Sequence, residues 1–356
     1  MELNRLRLRD FRNFSSLEWC PRSGLNFLRG ENGVGKTSVL EAIHLLAYGR
    51  SFRGRVADGL IRRGCRELEV FAQWRASGGA HQAGLRHSGR HWEARLDNEG
   101  VASLAELCQV LAVVTFEPGT QRLVSGSSEA RRRYVDWLLF HVEPEFLIVW
   151  RRYTRALRQR NALLKQHAAV EAFLPWEQEL GESGEALTSH RRRMLERLEP
   201  ALLRISELLV PELGPPTLNY HAGWRAESQS LMDALSANRN REQQLGHTES
   251  GPHRADWRLN LGDLDTRSML SRGQEKMVSL ACVLAQADVM PACGEDAPVF
   301  CFDDLPSEID EQHLERLVGH LVDSGGQVIM SGVSVPDSLR EAASVFHVEH
   351  GEIRAI

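Results

Sequence analysis

Near the start of the chain, apolar residues fall at Leu3, Leu6, Leu8, Phe11 and Phe14, mostly every second or third position, with charged residues between them. Together with the apolar run through Leu25, Phe27 and Leu28, this spacing predicts two strands leading into a glycine turn. Residues 38–47 carry apolar side chains at helical spacing, so strand, tight loop and helix open an α/β sheet. Residues 66–97 alternate and contain Gly78, Gly79, Gly84 and Gly89, which predicts a meander of antiparallel strands forming a β lobe. From residue 128 to about 209, glycine and proline are nearly confined to Pro144, Pro175, Gly181, Gly184 and Pro200, and apolar residues recur with a helical period. That stretch reads as a helical insertion. Pro211, Gly214, Pro215 and Pro216 end it, a mobile polar segment is expected over 237–248, and α/β character returns from Gly251. The expected division is therefore residues 1–127 as the first part of an α/β head with its β lobe, 128–248 as an inserted helical arm, and 249–356 as the rest of the head.

Composition narrows the class. A chain of 356 residues, 42% hydrophobic and 26% charged, can bury the core of one large or two ordinary domains. No stretch approaches the roughly 18 consecutive apolar residues of a membrane helix, and the charged, alternating start does not read as a signal peptide. A cytoplasmic protein without a membrane partner is expected. Cys20, Cys65, Cys108, Cys282, Cys293 and Cys301 show no paired short spacing, so neither a zinc ribbon nor a disulfide framework is indicated, which fits a reducing compartment. The net charge of -5 argues against a wholly basic nucleic-acid binder. Cations nevertheless concentrate at Arg131, Arg132 and Arg133, then at Arg151, Arg152, Arg155, Arg158, Arg160 and Lys165, a candidate phosphate-contacting face. A helix lined with arginines serves equally well as a solvated surface. Only Lys36, Lys165 and Lys276 are lysines, against forty arginines, so each lysine departs from a strong habit of the chain.

Lys36 falls in the first chemical motif. Gly30, Glu31, Asn32, Gly33, Val34, Gly35, Lys36 and Thr37 fit the phosphate-binding P-loop, with the Ser38 hydroxyl behind, a strand before and a helix after. Its glycines let backbone N–H groups converge on phosphates at a helix N-terminus, Lys36 reaches the β and γ phosphates of ATP as a compact charge, and Thr37 ligates Mg²⁺. Val299, Phe300, Cys301 and Phe302 form an apolar strand ending in Asp303 and Asp304. Beside a P-loop, Asp303 can hold the metal while Asp304 orients or deprotonates the attacking water. Ser271, Arg272, Gly273 and Gln274 start a helix about thirty residues earlier. Alone this is an N-capped helix; with the other motifs it is a second anion site that caps the γ-phosphate held by another copy, a head-to-tail ATP sandwich. Ser307 and Asp310 would lie where two heads touch, and Ser331 would end a strand near the γ-phosphate.

The motif set resembles the RecF family of bacterial DNA-repair proteins, relatives of the chromosome-structural SMC ATPases, over nearly the whole chain. The resemblance is carried by 8–14 (LRDFRNF), the P-loop with Leu40, Glu41, Ala42 and Ile43, and 49–53 (GRSFR). It continues with Phe116, Glu117 and Pro118, then 124–127 (VSGS) running into the three arginines, 153–165 (YTRALRQRNALLK), 251–254 (GPHR) and 302–310. It implies a P-loop ABC-type head with an α/β lobe, an antiparallel β lobe and an inserted helical arm, with Arg12 added to the nucleotide site. It further implies an ATP-dependent homodimer, binding of double- and single-stranded DNA through Arg131, Arg132, Arg133, Arg152, Arg155, Arg158 and Arg160, and cooperation with RecR and RecO to load RecA at single-stranded gaps.

The chain departs from that family's usual pattern at Arg272, which stands where the signature has glutamine, and at Glu275 and Lys276, which replace a polar pair. No glutamine lies at 116–118, and Ser331 stands in place of a switch histidine, both in keeping with the family and with slow hydrolysis that times release. Other SMC-like machines separate their head halves by long heptad coiled coils, whereas about 235 residues with prolines separate Lys36 from Ser271 here. A DNA clamp whose ATP site is only structural remains a second reading. A transporter ATPase fits least, because its coupling glutamine is absent.

Overall fold

The computed structural model describes residues 1–54, 59–266 and 269–356. The chain folds into two compact units, Met1–Gln121 with Arg272–Ile356, and Arg122–Ser271. The first is built on two six-stranded sheets. In one, β1 (Glu2–Phe11), β2 (Phe14–Trp19), β4 (Leu68–Ala76), β5 (Gly79–His87), β6 (Trp92–Leu96) and β7 (Glu99–Gly100) are antiparallel in the order β2-β1-β4-β5-β6-β7. The mixed spacing of the first apolar residues has local causes: a register shift between Leu3 and Arg5 puts Leu3 on the same buried face as Leu6 and Leu8, and Asp10, at φ 49°, interrupts the alternation before buried Phe11. Where two strands were expected before the glycine loop there are three, because Arg12 and Asn13 make a two-residue turn, Arg12 adopting a φ of 55° without any glycine to signal it.

The second sheet holds β3 (Leu25–Arg29), β8 (Val113–Phe116), β12 (Val299–Phe302), β13 (Val328–Gly332), β14 (Ala343–Glu349) and β15 (Glu352–Ala355) in the order β15-β14-β3-β13-β12-β8. All neighbours except β14 and β15 are parallel. Strands buried on both faces read as continuous apolar runs, as β12 does with every residue buried. The helices α1 (Lys36–Tyr48), α2 (Leu104–Val110), α8 (Arg272–Ala292) and α9 (Glu311–Asp323) complete this unit. Val39, Leu40, Ile43 and Leu46 of α1 join Phe11, Phe14, Trp74 and Ile329 in one core shared by both sheets.

The second unit contains α3 (Arg122–Ser125), α4 (Ser128–Val142), α5 (Phe146–Lys165), the 36-residue α6 (Leu174–Leu209), α7 (Leu231–Leu245), and the antiparallel strands β9 (Pro216–His221), β10 (Asp256–Leu261) and β11 (Leu264–Asp265). It therefore runs past 248: β10 pairs with β9 over six residues, so the head resumes at Arg272 rather than 249. The polar segment expected to be mobile is mostly helical. Ser230 caps α7 by accepting from the Asp233 backbone N–H, Gly246 ends it at φ 70°, and its buried face is Leu231, Ala234, Leu235, Arg239 and Glu242. Two charged members of that face hid it from a hydrophobicity reading.

Those charges belong to a buried network. Arg160 is fully buried and donates to Glu177 (3.0 Å), Glu242 (2.5 Å), Thr248 Oγ1 (2.8 Å) and the Leu235 carbonyl (3.0 Å), while Arg239 donates to both oxygens of Glu177. Arg131 is likewise buried, paired with Asp256 at 2.8 Å and donating to the carbonyls of Val124 and Gly126. Arg132 is half-buried on the Ala255 carbonyl at 2.5 Å. Arg131 and Arg160 are thus not phosphate contacts, because their guanidiniums are desolvated and fully used inside the unit. The GPHR stretch joins the same interior: a side chain at Gly251 would meet the Tyr153 hydroxyl at 2.6 Å, and Tyr153 hydrogen-bonds His253 Nδ1 at 2.6 Å. Burial pushes the His253 imidazole down to about 4, so it is neutral. Asn161 accepts from the Thr248 N–H and hydroxyl. The 153–165 and 251–254 stretches therefore pack and hydrogen-bond against each other. Replacing Arg160 by leucine leaves Glu177 and Glu242 short of a buried partner, and we expect a loss of about 3–5 kcal/mol, read as a lower urea midpoint, whereas Arg155→Ala on the same helix leaves the midpoint unchanged.

Candidate functional site

The parallel order β3-β13-β12 brings three strand ends to one edge of the second sheet. β3 runs into the glycine loop, β13 ends with Ser331 and Gly332, and β12 is followed by Asp303 and Asp304. Gly30 is required because an added Cβ would sit 2.5 Å from the Val348 carbonyl. Gly35 has φ 118°, and its Cβ would meet the Phe14 ring at 2.6 Å. Asn13 holds the loop from outside, donating to the Val34 carbonyl at 3.0 Å. The loop then delivers α1, whose first N–H groups face the cleft without acceptors of their own helix.

Lys36 is buried and donates to the carbonyls of Gly30 (2.7 Å) and Glu31 (2.8 Å), which lays its ammonium along the inside of the loop. Burial lowers its pKa, opposed by the negative charges of Asp304 and Asp303. Thr37 Oγ1 donates to Asp303 Oδ1 at 2.8 Å, and Ser331 Oγ donates to the same oxygen at 2.9 Å. Ser331 Oγ also accepts from the Asp304 N–H at 2.9 Å, so one hydroxyl joins both acids. Asp303 is buried, and desolvation raises its pKa against these hydrogen bonds. Asp304 adopts φ 52°, a left-handed conformation rare outside glycine, and Ser307 donates to both its carbonyl and its Oδ2 at 2.8 Å. The resulting cleft of about 110 Å³ is lined by Asn32, Gly33, Gly35, Lys36, Thr37, Ser38, Arg53, Asp303, Asp304 and Ser331.

Most of the expected site residues converge here. Gly30, Glu31 and Val34 shape the loop from behind the lining. Arg12 does not line the cleft; its guanidinium grips the fully buried Glu41 at 2.5 and 2.8 Å, and Ser51 donates to the same carboxylate. Ser271 directly precedes α8 and is exposed, as are Arg272 and Gly273, while Gln274 is half-buried; Gly273 and Gln274 do not line the cleft. Asp310 caps α9, accepting from the His313 N–H at 3.0 Å. Arg53 was not among the expected site residues, although it lies in the GRSFR stretch; Asn13, in LRDFRNF, is a second residue that reading passed over.

A separate shallow groove of about 370 Å³ on α5 is lined by Trp150, Arg151, Thr154, Arg155, Arg158 and Gln159. Arg152 beside it pairs with Glu179 at 2.7 Å and Glu182 at 3.3 Å, and Arg133 on α4 pairs with Glu129. Arg155 and Arg158 are exposed. Trp150 had no signal of its own in the sequence.

A glycine loop, a buried lysine and two acids at one parallel-sheet edge define a P-loop head, and the model described as the RecF/RecN/SMC N terminal domain matches residues 2–353. The chain is 50% identical over 361 residues to the DNA replication and repair protein RecF of Xanthomonas oryzae pv. oryzae (strain MAFF 311018), covering 99% of this chain and 100% of that one. It is 49% identical to the RecF of Stenotrophomonas maltophilia (strain R551-3), covering both completely. Within the P-loop class the chain belongs to the RecF family of DNA replication and repair proteins. Its fold matches a solved structure of the recombination mediator protein RecF with ATP from the RecFOR pathway, with a TM-score of 0.90 at 22% identity over 100% of this chain and 97% of that one. The fold is also similar to the Smc head domain with a coiled coil and joint derived from Pyrococcus yayanosii, with a TM-score of 0.63 at 12% identity, covering 100% of this chain and 96% of that one.

Because the raised Asp303 pKa reflects a carboxylate that is worse solvated in the folded chain, its charge opposes folding at pH 7, and the penalty lessens as pH falls through the folded value. Asp303→Asn should therefore raise the urea midpoint of the ligand-free protein at pH 7, with the gain shrinking toward acid pH.

Proposed function

We propose that this chain is a DNA-binding ATPase whose two copies close head to tail over ATP and hold DNA until hydrolysis opens them. The observation that carries it is the single oxygen Asp303 Oδ1 receiving both the P-loop hydroxyl of Thr37 and Ser331, with Asp304 tied to the same Ser331. ATP fits the cleft by its charge pattern: Lys36 and the N-terminus of α1 bind phosphate, and Arg53 adds a cation at the rim. Thr37 Oγ1 and Asp303 are hard oxygen donors, and among the described residues no cluster of three His, Cys, Asp or Glu forms a separate metal cage. Such a pair suits Mg²⁺ arriving with the nucleotide, where the ion would neutralise phosphate charge. Asp304 then orients or deprotonates the attacking water, its left-handed backbone turning the carboxylate into the cleft lining. Ser271 and Gly273 of a second copy would cap the γ-phosphate, with Ser307 and Asp310 at the contact. Turnover is slow and times release, since Ser331 replaces an acid–base side chain.

The exposed cations Arg133, Arg152, Arg155 and Arg158 are the DNA contacts that survive burial, with Arg132 at the margin, and Trp150 offers a ring beside them. The similarly folded RecF belongs to the RecFOR pathway. By that likeness the chain acts in the cytoplasm with RecR and RecO, which load RecA at single-stranded gaps. No helix among the described residues is long and apolar enough to cross a membrane. The hold of Ser307 on Asp304 Oδ2 favours one alternative, a clamp whose ATP is structural. Multiple turnovers of ATP with DNA present would exclude it.

Sedimentation with ATP and duplex DNA tests the reading: the wild type should form a dimer that carries DNA, Lys36→Arg should stay monomeric, and Asp304→Asn should remain closed. A monomer under every condition sinks the sandwich. Arg155→Ala and Arg158→Ala should each weaken DNA binding regardless of sequence and reduce the slope of log K against log salt by about 1, measured by fluorescence anisotropy across a salt series.

A further inference from the structure

The third of the chain's three lysines has a specific partner. Lys276, in the second turn of α8, forms an ion pair with Glu308, the residue after Ser307. Both side chains are partly exposed, at 33% and 24%. A pair that open to water adds little stability, so its value lies in position. It bridges two stretches thirty-two residues apart, the first turns of α8 and the loop that follows the acid pair.

The loop is tied from its other side as well. Ser307 holds Asp304 through two hydrogen bonds, Asp304 N–H is held by Ser331, and Ser331 shares Asp303 Oδ1 with Thr37. Leu305, Pro306 and Ser307 form a 3-10 turn, whose fixed geometry carries the tie from Ser307 to Glu308. Through side-chain hydrogen bonds, the Asp304 N–H and the backbone of the 3-10 turn, a continuous path runs from the P-loop hydroxyl to the first turns of α8.

We infer that Lys276 and Glu308 are positioning residues that couple the state of the nucleotide cleft to the first turns of α8. Substitution of the usual polar pair by Glu275 and Lys276 then has a purpose: the lysine braces the altered anion loop from behind. This inference rests on the reading of the cleft as a nucleotide site, and one half of its test does not depend on dimer formation.

Hydrogen exchange of the full chain with ADP and Mg²⁺, which supply no γ-phosphate to bridge copies, reads the path within one molecule. In the wild type, nucleotide should slow exchange at 30–38, 303–310 and 272–278 together. Lys276→Met and Glu308→Gln should keep protection at 30–38 and lose it at 272–278 by on the order of threefold or more. The charge-swapped double variant Lys276→Glu with Glu308→Lys should regain it. Undiminished protection of 272–278 in both single variants, its absence in the wild type, or failure of the swap to restore it would overturn the inference. Sedimentation of the same proteins with ATP separates the two claims: a wild type that shows the exchange pattern yet never dimerises removes the sandwich and leaves the brace standing.

Discussion

Everything at the candidate site depends on one buried oxygen. Asp303 Oδ1 accepts from Thr37 of the helix that follows β3 and from Ser331 of β13, and it can do so only because β13 lies between β3 and β12 in a parallel sheet. A carboxylate placed there is poorly solvated, which raises its pKa and makes a cation and hydrogen-bond donors welcome. The strain at Asp304 belongs to the same arrangement. Its left-handed backbone is held by Ser331 on one side and Ser307 on the other, so the second acid faces the cleft instead of following the strand direction.

The second unit solves a different problem, which is how to keep charge inside a helical body. Arg160, Arg239, Glu177 and Glu242 balance two positive against two negative charges in the interior, and the hydroxyl of Thr248 and the Leu235 carbonyl take the remaining donors of Arg160. Arg191 repeats the pattern with Asp136 and the Pro252 carbonyl. Such pairs add little stability over an apolar core of the same volume, yet removing one partner is costly because it leaves a buried charge. The 153–165 and 251–254 stretches accordingly contribute to the interior, and the surface cations left for a polyanion are fewer than the sequence alone suggests.

Several features were legible without coordinates. The P-loop, the acidic strand end and the helix after Ser271 depend on local order, because glycine conformation, apolar runs and caps act over a few residues. The alternation of 66–97 likewise announced a meander that forms as β4 to β6. Local signals also failed in recognisable ways: the turn at Arg12 and Asn13 has no glycine, and α7 buries an arginine and a glutamate that made it look like a loop.

What the sequence determined by itself is the set of chemical groups and their order, and this was enough for the class of protein and the place of its glycine loop. Only the tertiary structure decided which arginines are outside, that Arg12 grips Glu41, that Arg53 reaches the cleft, and that Lys276 meets Glu308. The reason is physical. A P-loop is written in consecutive residues, whereas burial and ion pairing are set by residues tens to hundreds of positions apart, and one arginine reads the same whether it faces water or a buried glutamate.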